Sequence, residues 1–406
     1  MPTRTLAKPS EAGNLNLADP RTHAENDLTE VWRWMRATEP VYWHPPVGAA
    51  PGFWVATRHR DVASIYFDNK RFTSEKGNVL STLLQGGDSA AGVMMAVTDG
   101  RRHAEIRRIL LRAFSPRALS GVVENLEKTT QGLLQDIVSA GGGDFADEVA
   151  AHIPLATICD LLGVPSSDRA SLLEWTKAAL SAEGPDQSAA DIWQARNDIL
   201  GYFETLARQR RRRPGTDAVS VLASSMVNGR PLSMEEVVSN CYSLILGGDE
   251  TSRLSMSSAV LAFIEHPDQW AAWKRGEVET SDAVEEILRW TTPAMHFGRT
   301  ALEDVEVGGR LIRAGDIVTL WNNSANRDEE VFPDPFRFDL SRSGNKHISF
   351  GYGPHFCLGA YLGRAEIAAL LTGLRSLVTE VELNGRPRWI YSNLLSGMSS
   401  LPVHLS

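Results

Sequence analysis

The chain has 406 residues, 43% of them hydrophobic, and a formal net charge of −9 at pH 7. That is enough apolar content for a large core, and the acidic balance argues against nucleic acid as a partner, because polyanion binding needs a basic face. Cys159, Cys241 and Cys357 lie far apart, no run of about 18 uncharged apolar residues occurs, and Met1 to Leu17 lacks an apolar signal-peptide core, so a reduced, cytoplasmic, membrane-free setting is expected.

No linker divides the chain, and it reads as a polar tail over residues 1–18 followed by one domain over 19–406. Val41-Tyr42-Trp43 and Gly52 to Ala56 are short aromatic and β-branched runs that predict a small sheet, and Asp61 to Phe67 predicts a helix. Gly77 to Val97 shows no clean period. With Leu80, Leu83, Leu84, Met94 and Met95 it reads either as the lining of an apolar pocket or as a loop that completes the core. Asp99 to Phe114 is a basic helix with His103 and Arg107 four apart on one face, a pairing that by itself is usually surface charge. Ala118 to Leu206 is mostly helical, broken at Gly141 to Gly143, Gly163-Val164-Pro165 and Gly184-Pro185. The basic run Arg208 to Arg213 reads as a helix end before Pro214-Gly215.

The longest helix opens at Ser233, with Glu236 completing a capping box, and stops at His266-Pro267. Gly247 and Gly248 stand in its middle, each costing about 1 kcal/mol against alanine, which predicts a close approach to the backbone there. Asp249, Glu250, Thr251 and Ser252 follow as polar groups in a spanning helix. The Thr251 hydroxyl is placed to bond the Gly247 carbonyl. Asp282 to Thr291 is another helix, with Glu286 and Arg289 three apart. After Pro293 the period becomes that of strands: Val305 to Val307 and Arg310 to Ile312 flank the hairpin signal Gly308-Gly309, and Ile317 to Trp321 is a further strand.

Phe350 to Ala360 is a loop with three glycines and a proline that delivers Cys357 to the start of a helix running from Tyr361 to Leu377. A thiol near a helix N-terminus ionises more readily, which suits a thiolate metal ligand; a buried cysteine beside a turn is the plainer reading. Phe350, Gly353, Cys357 and Gly359 stand at the spacing F-x-x-G-x-x-x-C-x-G, with His355 two residues before the cysteine. This closely resembles the haem-ligand loop of the cytochrome P450 family, whose members hold the iron through one cysteine thiolate. The H-x-x-x-R pair at His103 and Arg107, the G-G-x-E-T run at Gly247 to Thr251, the E-x-x-R pair at Glu286 and Arg289, and Arg337 in Pro335 to Phe338 resemble the family's other motifs in the same order.

The resemblance implies a mainly α fold with small β-sheets, and haem b held between the Ser233 helix and the helix after the cysteine loop. Cys357 would be the metal ligand. His103, Arg107, Arg299 and His355 would bind the propionates, with Gly247, Gly248, Phe350, Gly353 and Gly359 also against the cofactor. Thr251 would bond oxygen and Glu250 relay protons, while Glu286, Arg289 and Arg337 would brace the loop. Leu80, Leu83, Met94, Met95, Leu246, Ala294, Met295, His296, Leu394 and Leu395 would face substrate, and the segment from Leu172 to Trp193 would form part of a lid. His296 reads equally as a histidine satisfied by a loop carbonyl.

The implied activity is an O2-dependent monooxygenase, without bound flavin or nucleotide, that hydroxylates an apolar or mixed-polarity small molecule of secondary metabolism, free or carrier-protein-bound. Electrons would come from a ferredoxin and its reductase, docked on Arg101, Arg102, Arg108 and Arg112. The alternatives are a peroxide-dependent member of the family, and a haem-binding sensor or electron carrier.

Overall fold

The computed structural model describes residues 4–180, 188–227 and 229–406. The elements that position the site are, in chain order, α1 (Thr29–Thr38), β1 (Val41–His44), β2 (Phe53–Ala56), α2 (His59–Phe67), β3 (Phe72–Thr73), α3 (Gly100–Ala113), α4 (His152–Leu162), α5 (Arg169–Leu180), α6 (Met234–Glu265), α7 (Thr280–Thr291), β4 (His296–Ala301), β5 (Ile317–Trp321) and α8 (Ala360–Leu377). The aromatic and β-branched runs form one sheet of order β1-β2-β5-β4-β3, in which only the β2–β5 pair is parallel.

The expected capping box closes α6. Ser233 Oγ accepts from the Glu236 amide at 3.0 Å and Glu236 Oε2 from the Ser233 amide at 2.8 Å, which satisfies donors that a helix start leaves orphaned. The helix then crosses the molecule. Its C-terminal half packs with α7 and α8 around Met256, Val260, Phe263, Ile287 and Leu370, and its N-terminal half with α4 around Ile158, Val237, Cys241 and Ile245. The two helical clusters thus meet along one spanning element, and Gly247 to Ser252 lie midway.

Several local readings are modified by packing. The expected polar tail is docked: Ala7, Ala12 and Leu17 are buried with Trp32, Met35 and Phe53, because a few apolar residues in a polar stretch suffice to hold it. The irregular stretch from Gly77 contains a short helix, Leu80–Leu84, and a 3-10 turn, Met95–Val97. The arginine run ends the helix Ala189–Arg212 but is more than a solvated end. Arg210 donates to Asp217 at 2.9 Å and to the Gly163 carbonyl at 2.7 Å, and Arg211 reaches the Leu232 carbonyl at 2.5 Å. Residues 181–187 of the expected lid, with the Gly184-Pro185 break, lie outside the described residues. Among the described residues, no helix is long and apolar enough to cross a membrane.

Candidate active site

The loop before α8 is shaped by backbone that only glycine adopts without strain. Gly351 and Gly353 have φ near +70°, and a Cβ on Gly353 would stand 2.7 Å from the Tyr66 carbonyl oxygen, so the loop lies directly on the end of α2. Within it the Cys357 amide donates to the Phe350 carbonyl at 2.9 Å, which folds the cysteine back over the Phe350 ring side. Arg364 lies over that ring at 4.7 Å and a Cβ on Gly363 would be 3.5 Å from it. Burial raises the Cys357 thiol, opposed by the Gly359 amide and by the Arg107 and Arg364 charges. A bound metal reverses that balance, because coordination deprotonates a thiol outright.

Beside the sulfur, donors from three elements converge. His103 of α3 and His355 of the loop have ring centroids 4.2 Å apart, Arg107 donates to the Phe356 carbonyl at 2.7 Å, and Arg299 of β4 sits over the Tyr66 ring at 5.3 Å. The carboxylate of Asp99 already meets His355 Nε2 at 2.8 Å, Thr73 at 2.7 Å and the Ser74 amide at 2.7 Å. Burial, then the His355 and Arg107 charges, push His103 down to about 4, and its Nε2 is buried with no partner. Arg299 is 4% exposed and, among the described residues, its side chain donates only to the Gly298 carbonyl, at 2.7 Å. Buried donors that lack acceptors require some acceptor. Two carboxylates of a haem next to Cys357 answer that requirement, so the residues present fit the group.

On α6 the two glycines face different ways, as a turn of about 100° per residue dictates. Gly247 is exposed, and a Cβ there would meet nothing within 4 Å; one on Gly248 would stand 2.9 Å from Ile158 Cδ1. The Cβ direction of Gly248 is therefore taken up by the contact with α4, and that of Gly247 is open. Thr251 Oγ1 donates to the Gly247 carbonyl at 3.0 Å, as its spacing predicts. Glu250 is gripped by Arg253, whose Nε donates to Oε2 at 2.9 Å, both side chains being buried. Two further acids surround this turn. Asp249 accepts from Thr176 of α5 at 2.7 Å, and burial followed by the Glu250 charge lifts it to about 7. Glu366 of α8 accepts from Ser252 Oγ at 2.5 Å and is lifted by burial to about 8. Sequence reading missed Glu366, and no local signal marks it.

The brace of the loop also differs in one member. Arg289 binds Glu286 through Nε and Nη2 at 2.7 Å and donates from Nη1 to the Asn326 and Pro335 carbonyls, all buried. The second arginine on Glu286, and the third member of the brace, is Arg342, at 3.1 Å, rather than Arg337. Phe338 is buried, so its neighbour Arg337 points outward, and Arg337 contributes only its carbonyl, which accepts from Arg289 and Arg342.

The substrate-facing expectations divide by burial. His296 pairs with Trp321 across β4 and β5 and its ring packs on Trp321 with centroids 4.5 Å apart; Leu80 and Met295 enter the same cluster with Trp32 and Phe53. All three side chains are buried in the core. Alternation along β4 puts Phe297, not His296, on the Arg299 face, where it packs with Ala294, Leu254, Ile390, Leu394 and Leu395. Leu83 packs over Gly298. Met94, Met95 and Leu246 remain half-buried. Strand parity counted back from Arg299 is the signal that finds Phe297.

Comparison with known proteins agrees with this geometry. The family model described as Cytochrome P450 matches residues 280–379. The chain is 49% identical to "Cytochrome P450 NovI" of Streptomyces niveus over 100% of both chains, and 31% identical to "Linalool 8-monooxygenase" of Pseudomonas putida over 96% of this chain and 98% of that one. The crystal structure of P450 OxyD, involved in the biosynthesis of vancomycin-type antibiotics, superposes with a TM-score of 0.88 at 32% identity, covering 97% of this chain and 99% of that one.

Proposed function

This chain belongs to the cytochrome P450 family, and from that premise we propose how its residues divide the work of a haem-thiolate monooxygenase. Haem bound through the Cys357 thiolate supplies the activation of O2. The observation that carries the assignment is the meeting of Cys357 with His103, whose Nε2 is buried without a partner, and with buried Arg299, whose guanidinium is bonded among the described residues only to the Gly298 carbonyl. Arg107, Arg299, His103 and His355 orient the carboxylates, and Gly247 opens the turn of α6 beside Thr251.

Thr251 is the hydroxyl that presents a proton at the reacting oxygen. Glu250, held by Arg253, is placed one residue before it to relay protons, and Glu366 reaches the same turn through Ser252 Oγ. Glu366, lifted to about 8, holds a proton at neutral pH and Asp249, lifted to about 7, is partly protonated there, so these acids form a proton reservoir around Thr251. Phe297, Leu394, Leu395, Met94, Met95 and Leu246 form the apolar wall that receives substrate. Hydroxylation of a secondary metabolite is supported by the likeness to P450 OxyD, involved in antibiotic biosynthesis.

The family uses redox partners, and here the partner is a ferredoxin served by its reductase. Arg101 is paired with Glu105 and Arg102 with Glu236, so docking falls to Arg108 and Arg112, both exposed, beside exposed Tyr352, Phe356 and Tyr361. Complementary charge mainly accelerates encounter, so Arg108→Glu with Arg112→Glu should slow reduction at low salt and leave it nearly unchanged at high salt.

Two measurements test the whole reading. The reduced protein under CO should give the red-shifted band of thiolate ligation, and Cys357→His should lose it while keeping some haem; an unchanged spectrum removes Cys357 as ligand. Thr251→Ala should divert reducing equivalents to hydrogen peroxide, and tightly coupled turnover in that variant contradicts its role.

A further inference from the structure

Beyond Thr251, the C-terminal part of α6 and the docked N-terminal segment enclose a cavity of about 440 Å³. Its α6 wall runs from Ser258 to Glu265, about 10–20 Å along the axis from Thr251, so it is distinct from the site above. Three tryptophans, Trp32, Trp290 and Trp389, line it together with Arg4 and Arg327. Arg4 lies over the Trp389 ring at 3.4 Å and its Nε is buried without an acceptor, as is Trp389 Nε1. Arg327 stacks over Trp290 at 4.5 Å and donates only to backbone carbonyls, Trp290 at 2.9 Å and Arg289 at 3.3 Å. Among the described residues, neither guanidinium has a carboxylate within ion-pair distance, and burial lowers both to about 9.

Other charged groups on the wall do not change this. Arg36 is already engaged by Glu329 at 3.0 Å; Asp27 accepts from the Thr29 amide at 2.9 Å and acts on Arg4 and Arg327 only from a distance. Burial raises Glu265 toward its neutral form. Two guanidiniums without an ion-paired carboxylate and an indole N–H without an acceptor, set among aromatic faces, form an unfilled recognition pattern for a planar anion. We propose that this cavity binds a small aromatic carboxylate, with its carboxylate on Arg4, Arg327 and the Trp389 N–H and its ring among the tryptophans.

Calorimetric titration of the haem-loaded protein with benzoate and with its neutral isostere benzamide tests this. Benzoate should bind saturably without moving the haem absorption band, and benzamide about tenfold more weakly or worse, the worth of one charge-assisted contact. Arg4→Gln and Trp389→Phe should each weaken benzoate by about tenfold; both avoid Arg327, which also holds carbonyls at the end of α7. No saturable binding, equal affinity for benzamide, a spin-state shift of the haem, or full affinity in both variants would each overturn the proposal. The first of these outcomes would mean that water alone fills the space.

Discussion

Gly247 and Gly248 offer a controlled comparison, because replacing either with alanine gains the same helix propensity, about 1 kcal/mol. The difference between the two variants therefore isolates packing. A Cβ on Gly248 would stand 2.9 Å from Ile158 Cδ1, 3.1 Å from its Cγ1 and 3.5 Å from its Cβ, whereas on Gly247 it meets nothing within 4 Å. Ile158 is 3% exposed and sits in the α4–α6 cluster, so it cannot swing into solvent, and overpacking of this kind costs about 1–3 kcal/mol. Gly248→Ala should accordingly be about 1–3 kcal/mol less stable than Gly247→Ala, with Gly247→Ala at or above the parent. Urea unfolding followed by circular dichroism measures the difference, and haem content by the reduced-CO band shows whether each variant keeps its cofactor. Equal midpoints, or a more stable Gly248→Ala, would show that α4 does not constrain the helix there and would refute the argument.

The brace gives a second contrast. Arg342→Ala removes a partner of buried Glu286 and should cost about 2–4 kcal/mol, below the full cost of breaking a buried pair because Arg289 remains, while Arg337→Ala should stay within about 0.5 kcal/mol; urea midpoints of the pair decide between the two arginines. Asp249 keeps a proton up to about pH 7 in the folded chain but only to about 3.8 when unfolded, so its contribution to stability falls as pH rises across that window. Asp249→Asn should remove that part of the decline, gaining more at pH 8 than at pH 5, and a parallel pair of stability–pH curves would contradict the assignment. On β4, Phe297→Ala should weaken substrate-induced spin shifts by about tenfold with little change in melting, whereas His296→Ala should lower the melting point through loss of its contact with Trp321. Titrating both variants with a substrate of the parent protein separates the two faces.

Legibility in the sequence follows the range of the physics involved. The capping box of α6, the Thr251 to Gly247 bond, the hairpin at Gly308-Gly309 and the cysteine loop are written within a few residues, where backbone geometry and hydrogen-bonding capacity decide the outcome. The ordered motifs therefore specified the family and the fold class. Other facts depend on how elements meet. Arg337 and Arg342 both follow the Pro335 turn, and only the outward rotation beside buried Phe338 hands Glu286 to Arg342. Glu366 stands 114 residues from Ser252, on a helix whose approach to α6 no local pattern states. The direction of His296 was readable from strand parity once Arg299 was fixed, but the burial of Leu80 and Met295 beside it was not. Local propensity sets each residue's conformation, whereas partnership between distant side chains is chosen by packing, which satisfies many contacts at once and is not additive along the chain.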